Sequence, residues 1–120
     1  MSKDFVEVQR QVVSGMGALA GEAKSVMEGF AALHHAATAD GEMPKRYKEL
    51  MALAISVAIR CEGCIACHVK DAVQAGATRG EVIETIGVAV MMGGGPSVVY
   101  GIEAREALDQ FMPASVAASN

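Results

Sequence analysis

Apolar residues recur along this chain at spacings of three and four, and glycine and proline cut the pattern into about six helical pieces. The first runs from about Asp4 to Ala18, with Phe5, Val8, Val12 and Met16 as its stripe. A second, from near Glu22 to Thr38, sets Val26, Met27, Phe30, Leu33, His34 and Ala37 on one side and ends in the Asp40-Gly41 turn. Pro44 is placed to open a third piece that continues through Arg60. On it Tyr47, Leu50, Met51, Ala54, Ile55 and Ala58 share one face, with Leu53 and Val57 opposite. A fourth carries Ile65, Val69, Ala72 and Val73 inward and closes at Gly76, a residue free to take a left-handed conformation. Thr78-Arg79-Gly80-Glu81 has the form of a capping box, in which hydroxyl and carboxylate satisfy the first free amides of a fifth helix, Val82 to Met92. Gly93 to Pro96 break that helix, and a last amphipathic one reaches about Phe111.

The pattern predicts an all-α fold in one domain spanning residues 1–120, a length that needs no second core. The third and fifth helices are apolar on most sides, more than a domain of this size readily buries, so a homo-oligomer is expected. Hydrophobic residues make up 52% of the chain and Trp is absent, leaving Ala, Val, Ile, Leu and eight Met to build the core. The scattered Met read as core filling rather than a copper site. A net charge of −4 without a basic run excludes the electrostatic footprint of a nucleic-acid binder. The longest apolar run, Leu50 to Ile59, is interrupted by Ser56 and falls short of the ~20 residues of a membrane span. The first residues carry no apolar stretch of secretory type, so a cytoplasmic protein is expected.

The chemistry concentrates in Cys61-Glu62-Gly63-Cys64-Ile65-Ala66-Cys67-His68, which holds every cysteine of the chain and one of its three histidines. A Cys3His zinc site is disfavoured, because two turns of one segment cannot easily surround a tetrahedral ion. Cys64-Ile65-Ala66-Cys67-His68 matches the short c-type haem attachment pattern, but that attachment is normally made outside the reducing cytosol. A thioredoxin-like fold needs a short strand before Cys61, whereas Lys45 to Arg60 is long and rich in Ala and Leu. A dithiol on helices fits the spacing best. Cys61 and Cys64 are one turn apart, close enough for a disulfide at a helix start, where free amides also favour the thiolate. His68, four residues after Cys64, shares its helix face and can take and return a thiol proton. The plainer alternative is a buried histidine beside core cysteines. No bound metal or cofactor is expected.

These residues resemble the carboxymuconolactone decarboxylase family, and more narrowly its alkylhydroperoxidase AhpD-like branch. The branch's pattern is a Glu, eleven residues, then C-x-x-C-x-x-x-H, read here as Glu49, Cys61, Cys64 and His68. The likeness extends through Lys48-Glu49-Leu50, the Ala75-Gly76-Ala77-Thr78 turn, Glu81 and the glycines before Pro96, covering residues 43–105 as its core. It implies a helical protein assembling as trimers or hexamers and acting as a thiol-dependent peroxidase or disulfide oxidoreductase. In the implied scheme Cys64 attacks a hydroperoxide and becomes a sulfenic acid. Cys61 donates a proton and closes the Cys61–Cys64 disulfide, His68 and Glu49 relay protons, and an external dithiol of dihydrolipoamide type reopens the bridge. Rival expectations are a family member acting on a lactone or ring substrate, and a non-enzymatic thiol redox sensor.

Glu49 poses a distance problem, since twelve residues of unbroken helix would put it about 18 Å from Cys61. It needs a fold-back, a bridging water or another subunit; otherwise it is an exposed Glu paired with Lys45 or Arg46. Asp71, three residues after His68, is the local rival for orienting the imidazole. Gly63 stands where better-known relatives carry His, so a relay step through that position is missing. Cys67 is an additional thiol: a second resolving cysteine, a route to an intermolecular disulfide, or a small buried hydrophobe. His34 and His35, near a helix end, are expected to be solvated or capping. Gly93 to Gly95 lack the spacing and Lys of a phosphate loop and read as a turn permitting close helix packing.

Overall fold

Several helix boundaries have a local cause, and the turn between the third and fourth helices folds them back on one another. The computed structural model describes residues 3–113. It contains α1 (Phe5–Glu22), α2 (Lys24–Thr38), α3 (Lys45–Ala58), α4 (Glu62–Gln74), α5 (Arg79–Gly93) and α6 (Gly95–Phe111), with no strand among the described residues. At the start of α1 the Asp4 carboxylate accepts from the Glu7 amide at 3.0 Å. The helix runs to Glu22, one turn beyond the expected Ala18, because Leu19 and Ala20 are good helix formers that outweigh the flanking glycines.

The turn between α3 and α4 is a Schellman motif. The Arg60 amide donates to the Val57 carbonyl at 3.2 Å and the Cys61 amide to the Ser56 carbonyl at 3.0 Å. Arg60 occupies the left-handed position with φ 61°, where glycine is the usual residue. The same motif ends α4, with Gly76 at φ 97° and the Ala77 amide on the Ala72 carbonyl at 2.9 Å. The capping box of α5 forms as its sequence predicts, the Thr78 hydroxyl accepting from Glu81 N and the Glu81 carboxylate from Thr78 N.

Helices α3 to α6 pack into a bundle whose centre holds Leu53, Val57, Ile65, Val69, Val82, Ala104 and Leu108, all fully buried. Phe5 of α1 plugs one end of it, its amide donating to Gln110 Oε1 at 2.7 Å. Close approach of α5 and α6 depends on Gly101, where an added Cβ would lie 2.9 Å from Ile86 Cγ2. Burying these small side chains supplies the core; a fully buried Leu or Val contributes about 1.5–3 kcal/mol over leaving it exposed.

Two stripes differ from the sequence reading. On α3 the buried face is Glu49, Leu50, Leu53, Ser56 and Val57, whereas Tyr47, Met51 and Ile55 of the richer apolar stripe are exposed. Two apolar faces compete on this helix, and the one that also places Glu49 against α4 turns inward. On α2 only Thr38 is buried; Val26, Phe30 and Leu33 stand outside, because α2 rests on α1 and on the start of α3 rather than on the bundle. Exposed apolar side chains also run along α5 and α6, among them Val88, Met91, Met92, Val98, Val99 and Ile102. No helix among the described residues is long and apolar enough to cross a membrane.

Candidate functional site

The first turn of α4 carries the two cysteines of the predicted pair. Cys61 is the N-cap, with extended backbone, and its sulfur accepts from the Cys64 amide at 3.2 Å. Cys61 and Cys64 are joined as a disulfide with Cα atoms 5.2 Å apart. One cysteine caps the helix and the other lies in its first turn, where unpaired amides and the positive end of the helix dipole stabilise a thiolate once the bridge opens. Gly63 fits this turn against α1, since an added Cβ would sit 3.0 Å from Val12 Cγ2. A His at that position would have to displace the Val12 side chain.

Further along α4, His68 Nδ1 meets Glu49 Oε1 of α3 at 2.8 Å. The fold-back through the Schellman turn closes the gap within one chain. Glu49 is fully buried, and its second oxygen, Oε2, accepts from Lys45 Nζ at 2.9 Å. Burial acts to push the Glu49 carboxyl up, but hydrogen bonds from Lys45 and His68, with their charges, outweigh it and hold the group below the ordinary carboxylate range. An ionised carboxylate only accepts, so His68 donates its Nδ1 proton and presents Nε2 as the free nitrogen. Glu49 is thus paired with Lys45, as the plainer expectation had it, yet it is buried and also fixes His68.

The Asp71 carboxylate has no side-chain hydrogen-bond partner among the described residues, and Glu49 rather than Asp71 holds His68 Nδ1. Burial first, then the Glu49 charge, raises the Asp71 carboxyl above its ordinary value, against the opposing influence of His68, His34 and Lys45. Cys67 is partly buried and unbridged. Its thiol is pushed up by burial and by the Asp71 charge, with Lys70 opposing, so it is a poorer nucleophile than an ordinary thiol at neutral pH. It faces a cavity of about 260 Å³ between α1, α2 and α4, lined also by Val13, Met16, Phe30, His34 and Asp71.

His34 is exposed, in keeping with the expectation of a solvated histidine, but it is not isolated. Helix α2 lays it over His68, ring centroids 6.0 Å apart and planes inclined by 33°. His35, by contrast, lines a separate cavity of about 410 Å³ with Thr38, Lys45 and Gln74, which His34 and Asp71 also border. Only the i to i+4 spacing from Phe30 and the exposed stripe of α2 hinted at its direction. A further cavity of about 490 Å³ between α3 and α5, bordered by Met43, Tyr47, Leu50 and Val88, contains none of the thiol or imidazole groups.

The comparisons with known proteins agree with this arrangement of helices. A family model described as the carboxymuconolactone decarboxylase family matches residues 24–107. An uncharacterized protein of Cupriavidus necator is 35% identical over 105 residues, covering 88% of this chain and 89% of that one. One encoded in the cox locus of Paracoccus denitrificans, also uncharacterized, is 37% identical over 86 residues, covering 72% of this chain and 78% of that one. Among solved structures, the apo crystal structure of a carboxymuconolactone decarboxylase family protein from Legionella pneumophila superposes with a TM-score of 0.86. That protein is 43% identical, and the match covers 89% of this chain and 96% of the other.

Proposed function

Because this chain belongs to the carboxymuconolactone decarboxylase family, we propose that it is a thiol-dependent peroxidase or disulfide oxidoreductase of the AhpD-like kind, working through the Cys61–Cys64 pair. The observation that carries the reading is the placement of a bridged Cys-x-x-Cys at the first turn of α4, with His68 one turn beyond Cys64 and anchored by buried Glu49. The family's decarboxylases generally lack the cysteine pair, which favours redox work over a lactone substrate.

In the reduced protein, His68 Nε2 takes the Cys64 proton, directly or through Cys61, and the thiolate attacks the distal oxygen of a hydroperoxide. The O–O bond breaks, Cys64 becomes a sulfenic acid, and the leaving alkoxide takes a proton to become the alcohol. Cys61 sulfur then displaces hydroxide from Cys64; its proton and the hydroxide leave as water, and the disulfide forms. An external dithiol attacks the bridge, leaves as a cyclic disulfide and restores two thiols. The sum is one hydroperoxide and one dithiol converted to alcohol, water and a disulfide. Glu49 stabilises the transient imidazolium, and Lys45 keeps the buried carboxylate ionised between turnovers.

The exposed apolar faces of α3, α5 and α6 support a homo-oligomer, with the trimers or hexamers of the resemblance as the expected states; the reading places the protein in the cytoplasm, where dithiol reductants are maintained. Steady-state peroxide consumption driven by dihydrolipoamide tests the proposal. Turnover that Cys64→Ser abolishes supports it, and peroxide consumption indifferent to that substitution rejects it.

A further inference from the structure

Helices α2, α3 and α4 bring His34, Glu49, His68 and Asp71 so close that one donor atom from each lies within 4.8 Å of the others. The thiol chemistry uses Glu49 and His68 and leaves His34 and Asp71 without a role. We infer that His34, His68 and Asp71, with Glu49 standing behind His68, form a binding site for a divalent first-row transition-metal ion of the zinc type.

The donor set is two imidazoles and one carboxylate, the nitrogen and oxygen chemistry that suits zinc, cobalt and ferrous ions rather than calcium or magnesium. Bonds of about 2.0–2.2 Å put donor atoms roughly 3–4 Å apart around an ion, a spacing near the 4.8 Å within which each of the four residues offers a donor atom. Two imidazoles on one such ion have ring centroids separated by roughly 5–6 Å, and His34 and His68 already stand 6.0 Å apart. His34 is exposed on α2 and can turn to complete the set.

The supporting contacts match those of metal sites. Glu49 accepts from His68 Nδ1, which fixes the tautomer and leaves Nε2 as the ligating nitrogen. Lys45 occupies the other Glu49 oxygen, so this carboxylate orients the histidine while Asp71 serves as the direct ligand. His68 and Asp71 are three apart on α4 and project to one side, as in the i, i+3 carboxylate and histidine pairs of helical-bundle metal sites. Asp71 is partly buried, and its carboxylate has no side-chain hydrogen-bond partner among the described residues, so its oxygens are open to a cation. His34 and Asp71 border both neighbouring cavities, of about 410 and 260 Å³, which leave the ion a route of entry.

The inference concerns binding alone and stands apart from the thiol reading. It is tested with the Cys61–Cys64 disulfide intact and in a Cys67→Ser background, so that no thiol can serve as a ligand. Titration with Co2+, followed by visible absorption and competed with Zn2+, should show saturable binding of one ion per chain, with d–d bands and no thiolate charge-transfer band. His34→Ala and Asp71→Asn should each weaken binding at least about tenfold, and His35→Ala should leave it unchanged. Circular dichroism establishes that the variants are folded; His34 is exposed and Asn is isosteric with Asp, so both should be. Absence of saturable binding, or affinity that neither His34→Ala nor Asp71→Asn lowers, would overturn the inference.

Discussion

Glu49 and His68 stand 19 positions apart in the chain and 2.8 Å apart in space, joined through a carboxylate that no solvent reaches. The contact exists because the Schellman turn at Arg60 reverses the chain between α3 and α4. If the pair acts as one unit, Glu49→Gln and His68→Gln should each slow Cys64 oxidation by about 10²–10⁴, and the double variant should lose little more than either alone. Stopped-flow single turnover of reduced protein with a hydroperoxide measures this. Additive losses would show that the two residues act separately.

The same pair has a signature in stability. The Glu49 carboxyl titrates below its ordinary value in the folded state, so its contribution is complete above the ordinary glutamate pKa and is lost as pH falls through the lowered folded value. Glu49→Gln should therefore be less stable than the parent at neutral pH, with the gap narrowing on acidification. Asp71 has the opposite sign. Its raised pKa means that ionised Asp71 costs stability at neutral pH and ceases to do so below the ordinary aspartate value. Metal-free Asp71→Asn should melt above the parent at pH 7 and level with it near pH 3. Thermal melts in chelator across that range check both signs.

Cys61 caps α4 and, in the proposed cycle, is also the resolving thiol, and the two duties can be separated. Cys61→Ser keeps a good N-cap and should fold normally while stranding Cys64 as a sulfenic acid, detectable by dimedone labelling. Cys61→Ala should do the same chemistry but lose about 1 kcal/mol of stability relative to the Ser variant. Equal stability of the two would mean that a side-chain acceptor at position 61 contributes nothing to capping.

Arg60 holds a left-handed conformation that costs a residue with a Cβ roughly 1–2 kcal/mol. Arg60→Gly relieves this, offset by the about 0.5–1 kcal/mol of extra chain entropy that glycine loses on folding. The expected net is a gain of up to about 1.5 kcal/mol in chemical denaturation, with the 2.8 Å Glu49–His68 contact retained. A loss of stability would show that the arginine side chain makes a compensating contribution.

How much of this could be read from the sequence depends on whether the cause was local. The Thr78–Glu81 box, the left-handed Gly76 and the place of Cys61 at a helix start follow from side chains acting within one turn, and the chain states them directly. The inward face of α3 does not. Leu50, Leu53 and Val57 compete there with an apolar stripe of similar strength, and the outcome rests on α4 and α6 packing against one side. The resemblance singled out Glu49, but its route to His68 was open until the turn between the helices was known. His34 lay beyond local reasoning altogether, because its approach to His68 depends on how α2 crosses the start of α3 and α4. Periodicity gives the direction of a side chain around its own axis and says nothing of what that axis is laid against.

In the proposed cycle Cys61 and Cys64 are the working dithiol, and Cys67 stays outside it. The direct measurement is mass spectrometry of fully reduced protein treated with one equivalent of an alkyl hydroperoxide, with the remaining thiols alkylated and mapped by peptide. Two thiols should be lost, through a Cys61–Cys64 bridge, with Cys67 recovered alkylated and no bridge in Cys64→Ser. Recovery of all three thiols after peroxide, or a bridge that runs through Cys67, would contradict it.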